Sequence, residues 1–152
     1  MSKIIALGSD HGGFELKEYI KKYLTENNIK CIDVGTDSTS SVDYPFYAFK
    51  VAEEIVNKKA DLGILCCGTG IGISIAANKV KGIRAAVCES EFCTEMCRKH
   101  NDANILCLGG RVINGELAKK LVEIFITTPF EGGRHQNRIN QITQIENNKF
   151  KL

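Results

Sequence analysis

The sequence predicts an α/β protein of three layers, with helices covering both faces of a five-stranded parallel sheet. Two observations carry that expectation. Short aliphatic and β-branched runs recur at residues 3–7, 29–34, 62–66, 83–88 and 105–108. Each is apolar on consecutive positions, as strands buried on both faces require. Between them lie longer segments with helical patterning, at 14–26, 45–58, 71–79, 90–99 and 116–125. Repeated β-α units of this kind define a doubly covered, Rossmann-like sheet. The 152 residues, 43% hydrophobic and 25% charged, fit a single domain spanning 1–152 with a C-terminal helix from about residue 134. A chain of that length buries a substantial core without a metal or disulfide staple.

The elements follow in order. The first strand ends in Asp10-His11-Gly12-Gly13, a polar turn into the first helix. Asn27-Asn28 suits the turn before the second strand, and residues 37–41 form a polar loop. Asp43 stands as a cap for the second helix, whose first turn holds Pro45, where a missing N–H costs nothing. The third strand runs into Cys66-Cys67-Gly68-Thr69-Gly70-Ile71-Gly72. Lys81-Gly82 marks a turn before the fourth strand, and Asn114 caps the helix after the fifth. The spatial order of strands four and five is left open.

Composition narrows the function. Twenty basic residues against eighteen acidic ones leave a formal +2, which gives no reason to expect a nucleic-acid or membrane surface. There is no long apolar span, and the first seven residues are too soon interrupted for a signal peptide, so a cytoplasmic protein is expected. Its seven cysteines then read as reduced thiols.

In parallel sheets, ligands bind outside the carboxyl ends of the strands at a topological switch point. Strands one and three are the natural pair to flank it. Their ends carry Asp10-His11-Gly12-Gly13 and Cys67-Gly68-Thr69-Gly70. Alternation along a strand sends neighbouring side chains to opposite faces, so Cys66 reads as core and Cys67 as the thiol facing the crevice. The glycine turn opens a helix, and helix N-termini favour anions, thiolates included. Cys67 is thus a candidate base beside a cradle for negative charge, whereas Cys31, Cys66, Cys88 and Cys107 read as inert.

Other readings are weaker. The turn 68–72 invites a dinucleotide site, with Glu89 as the ribose-binding acid, but the third glycine of that pattern would fall on Ile73. His11-Gly12-Gly13 is shared with esterase oxyanion loops, yet no G-x-S-x-G elbow is present. Cys93, Cys97 and His100 share one helix face, but no second ligand pair completes a zinc site, and both cysteines are expected in the core. Arg134 and Arg138, four apart, can grip a phosphate near a helix N-terminus, and Arg111 after Gly109-Gly110 is a third candidate.

Taken together, Gly8-Ser9-Asp10-His11-Gly12-Gly13, Asp43-Tyr44-Pro45, Cys67-Gly68-Thr69-Gly70-Ile71-Gly72, Arg98-Lys99-His100-Asn101-Asp102 and Glu131-Gly132-Gly133-Arg134-His135 resemble the type B ribose-5-phosphate isomerase family, which includes allose- and galactose-6-phosphate isomerases. The resemblance implies an aldose–ketose isomerase acting through an enediolate. Cys67 would be the catalytic base, Thr69 would assist proton exchange between the sugar oxygens, and His100 with Asp10 would open the furanose ring. Gly68, Thr69, Gly70, Ile71 and Gly72 would form the anion hole. Asp10, His11, Tyr44, Asn101, Arg111, Arg134 and Arg138 would contact substrate or phosphate. It further implies a homodimer, with some members pairing into tetramers, and a site shared between subunits. Isomerisation involves no net redox change, so neither a nicotinamide, nor a metal, nor any other cofactor is called for. The rival readings are a six-carbon sugar-phosphate isomerase and a non-catalytic nucleotide-binding module.

Overall fold

The computed structural model describes residues 2–152. It contains five strands, β1 (Ile5–Ser9), β2 (Cys31–Asp33), β3 (Leu62–Cys67), β4 (Ala85–Val87) and β5 (Ile105–Gly109). Six helices accompany them, α1 (Phe14–Glu26), α2 (Tyr44–Val56), α3 (Ile71–Ala77), α4 (Glu91–Lys99), α5 (Gly115–Thr127) and α6 (Arg134–Glu146). All strand pairs are parallel, in the order β2-β1-β3-β5-β4, so β5 lies inside and β4 at the edge. The chain leaves β1 to one side for β2 and to the other for β3, which puts the switch point between β1 and β3.

Strand alternation sorts the core into two layers. Ile5, Leu7, Ile64, Cys66, Leu106 and Leu108 face α1, α4 and α5, whose Leu16, Ile20, Leu24, Cys97, Leu121 and Phe125 meet them. Ala6, Leu65, Cys67, Ile105 and Cys107 face α2 and α3, packing on Ala48, Val51, Ala52, Ile73 and Ala77. The second layer is thin because small residues let α2 approach: a Cβ at Gly63 would sit 2.7 Å from Val51 Cγ1, and one at Gly8 2.8 Å from Cγ2.

Several element ends differ from the sequence expectation. The edge strands β2 and β4 are three residues each, shorter than 29–34 and 83–88, because each pairs on one side only and is half-buried. Strand β1 extends to Ser9, whose N–H donates to Gly35 O at 2.8 Å. Asp43 occupies the N-cap position of α2 without a side-chain hydrogen bond, whereas Asn114 accepts from Leu117 N at 2.9 Å. Cys93 is exposed rather than in the core, while Cys97 is buried and donates to Thr94 O. Helix α6 buries only Ile139 and leaves Ile142 and Ile145 exposed.

One buried cation organises the β2 edge. Lys17 is 1% exposed, and its Nζ lies 2.9 and 2.8 Å from the two Asp33 oxygens. Lys21 Nζ and Gly35 N–H also donate to that carboxylate. Burial alone would raise the Asp33 pKa, but the hydrogen bonds from Lys17, Lys21 and Gly35 outweigh it and hold the group below the usual carboxylate value. A depressed folded-state pKa stabilises above the unfolded value, and that stability is lost as pH falls through the folded one. Asp33→Asn should therefore cost about 3 kcal/mol at neutral pH, with the gap to wild type shrinking below about pH 4. Denaturant titrations across pH check this; a gap independent of pH would contradict it.

Candidate active site

Three strand ends converge at the carboxyl edge of the sheet. Gly110 N–H donates to Cys67 O at 2.8 Å and Arg111 N–H to Gly68 O at 3.0 Å, tying the end of β5 to that of β3. Asp10 N–H donates to Cys66 O, tying in β1. The approach needs residues without side chains. A Cβ at Gly110 would lie 2.6 Å from Gly12 O, and one at Gly68 2.9 Å from Arg111 Nη1. The Arg111 guanidinium therefore lies over Gly12 and Gly68, and it forms no ion pair among the described residues.

Cys67 is 5% exposed and sits under the following turn, where Gly70 N–H donates to its Sγ at 3.1 Å. That bond depends on Gly70 at φ 82°, a left-handed conformation that a side chain disfavours. Helix α3 starts immediately after, and its first N–H groups have no carbonyl within the helix. Ile71 N–H donates to Thr69 Oγ1 at 3.2 Å. The N–H groups of Gly72 and Ile73 have no acceptor among the described residues. Cys66, facing the other layer, is fully buried, and burial pushes its thiol pKa far up. The two adjacent thiols therefore have opposite surroundings.

Around this turn stand Asp10, His11 and Tyr44. Asp10 is 7% exposed and its Oδ1 accepts from Gly13 N–H at 3.1 Å. His11 Nδ1 accepts from Val42 N–H at 3.2 Å, pinning the polar loop before α2. An accepting Nδ1 leaves Nε2 as the protonated nitrogen of the neutral ring, available as a donor. Tyr44 packs on Gly72, where a Cβ would meet its Cζ at 2.7 Å. The arrangement offers a thiol, free N–H donors, an imidazole donor and an unpaired guanidinium around one crevice.

The remaining candidates are elsewhere. Helix α4 descends from the carboxyl end of β4 and returns the chain to the amino end of β5, so His100 and Asn101 occupy the amino edge. Glu131 N–H donates to Lys99 O at 3.1 Å, which brings the start of α6, with Arg134 and Arg138, to that edge too. The six residues of β3 separate the edges by roughly 17 Å at about 3.3 Å per residue. Within one chain, His100 is therefore not beside Asp10, and the two could meet only across a subunit interface, as the expectation of a shared site requires. Asp10 follows a strand and His100 follows a helix, and in a parallel sheet those two kinds of loop open at opposite edges.

The amino edge also holds a residue that the sequence reading left without a role. His135 stacks on His100 with ring centroids 4.2 Å apart and an interplanar angle of 12°. Its Nε2 lies 3.7 Å from Glu131 Oε2. The i, i+4 spacing of Glu131 and His135 was the available signal. His100, Glu131 and His135 each offer a ligand atom within 4.8 Å of the others. Imidazole lone pairs lie in the ring plane, so two nearly parallel rings do not aim at a common ion, and the trio fits a stack better than a metal centre.

Comparison with known proteins places this geometry. A family model described as Ribose/Galactose Isomerase matches residues 5–142, and the chain belongs to that family. The ribose-5-phosphate isomerase B of Escherichia coli is 50% identical over 144 residues, covering 95% of this chain and 97% of the relative. Among solved structures, the ribose-5-phosphate isomerase B of Clostridium thermocellum superposes with a TM-score of 0.94 at 50% identity, over 95% of this chain and 98% of the other. That of Mycoplasma genitalium, solved with bound ribulose-5-phosphate, superposes at 0.91 and 43% identity, over 97% and 98%.

Gly70→Ala tests the turn. The left-handed φ and a Cβ 3.0 Å from the Leu108 carbonyl carbon should together cost about 1–3 kcal/mol of stability. An unchanged denaturation midpoint would contradict the assignment.

Proposed function

We propose that the chain is an aldose–ketose isomerase interconverting ribose 5-phosphate and ribulose 5-phosphate through an enediolate. The observation that carries this reading is Cys67 Sγ held by Gly70 N–H beneath a glycine turn with unengaged N–H groups and the Arg111 cation beside it. The named relatives supply the substrate class. In this reading Cys67 takes the proton from C2 of the open-chain aldose, and the electrons pass to the carbonyl oxygen. Thr69 assists movement of the proton from O2 to O1, and Cys67 returns its proton to C1. Backbone donors aimed at the developing oxyanion are the effective way to stabilise it. His11, Arg111, Arg134 and Arg138 hold the phosphate, which supplies remote binding energy that orients the reacting carbons. Tyr44 and Asn101 contact the sugar.

His100, Asn101, Arg134 and Arg138 reach such a site from a second copy. The reading is therefore a homodimer in which each crevice combines Asp10, His11, Cys67 and Arg111 of one protomer with the amino-edge residues of its partner. Exposed apolar residues on α2 and α3, Phe46, Phe49, Ile71 and Ile75, support such an association. We read residues 1–152 as one isomerase domain acting in the cytoplasm; among the described residues no helix is long and apolar enough to cross a membrane.

Turnover of ribose 5-phosphate, measured with excess chelator present, tests the reading. Wild type and Cys66→Ala should be active, and Cys67→Ala should lose about 10²–10⁴ in kcat, the range a positioned base contributes. Near-normal turnover by Cys67→Ala would remove the base. Higher kcat/KM on allose 6-phosphate or galactose 6-phosphate than on ribose 5-phosphate would shift the reading to a six-carbon substrate.

A further inference from the structure

Of the two stacked histidines at the amino edge, His135 lies outside the roles assigned above. His100 is the first residue beyond α4, and its backbone is fixed by donation to Met96 O at 2.8 Å. Its ring is not fixed in that way: among the described residues neither imidazole nitrogen has a hydrogen-bond partner. The face of His135 lies 4.2 Å away and nearly parallel to it. His135 is in turn held in the first turn of α6, where its N–H donates to Gly132 O. Glu131 Oε2 stands near its Nε2, and Glu131 N–H bonds to Lys99 O, one residue before His100. The closed path from α4 through Glu131 to α6 and back through the stack makes one platform of His100 and His135.

We propose that His135 is the positioning residue for His100, orienting its imidazole for ring opening while leaving both nitrogens free for the sugar. The proposal rests on the functional reading above. Ring opening breaks the C1–O4 bond, removes the proton of the C1 hydroxyl and delivers a proton to O4. An imidazole free to rotate would meet those atoms only part of the time, and a small loss of alignment is expensive in rate. Aromatic faces in contact limit that rotation without consuming a donor or acceptor.

The chemistry provides a readout that general destabilisation would not mimic. Ribulose 5-phosphate carries its phosphate on O5 and its carbonyl at C2, so it has no furanose form and enters as the open chain. Exchange of its C1 proton with solvent deuterium therefore needs Cys67 and the anion hole but not ring opening. His135→Ala should lower kcat on ribose 5-phosphate by about tenfold, with the deuterium exchange retained. His135→Phe, which keeps a ring face and removes the nitrogens, should restore kcat to within about twofold of wild type. Unchanged kcat in His135→Ala, exchange that falls in parallel with kcat, or a His135→Phe variant as slow as His135→Ala would each overturn the proposal. An inactive wild type would instead strike the functional reading itself, so the two failures are distinguishable.

Discussion

All five strands point the same way, and the layout of the site follows from that constraint. A parallel strand needs a crossover helix to return the chain, so each β-α unit delivers one loop to the carboxyl edge and the next to the amino edge. The loops after β1, β3 and β5 meet at the carboxyl edge, bringing Asp10, Cys67 and Arg111 together from distant parts of the chain. The loop after α4 opens at the amino edge, where His100 lies. Cys67 and His100 are thereby placed at opposite edges of the sheet within one chain.

Close approach is the second condition. The crevice is narrow because Gly12, Gly68 and Gly110 let backbone and guanidinium meet without Cβ atoms between them. The same economy brings α2 against the sheet through Val51, and Tyr44 at the start of that helix thereby reaches Gly72. The sheet core and the site are built from one set of contacts. Cys67 shows this most directly, since it belongs to the apolar layer under α2 and α3 and also accepts the Gly70 N–H.

Much of this was legible in the sequence for physical reasons. Consecutive apolar residues at 62–66 report a strand covered on both faces, and period-two alternation assigns Cys66 and Cys67 to different layers. Asn114 announces the start of α5 because its side chain completes a cap. The edge strands were read too long, since apolar runs do not reveal that one side lacks a partner. Cys93 was read as core from helical spacing, yet its face of α4 meets solvent. The separation of His100 from Asp10 was legible in outline, because the loop from a helix to the next parallel strand opens at the amino edge. The stack with His135 was hidden, because it joins α4 to α6 across thirty-five residues of sequence.

If each site combines residues from both protomers, two damaged chains can complement one another. A purified heterodimer of Cys67→Ala and His100→Ala would hold one doubly damaged site and one with both residues intact. It should recover about half the wild-type turnover of ribose 5-phosphate per dimer, while each homodimeric variant stays inactive. A heterodimer no more active than its parents would contradict the shared site.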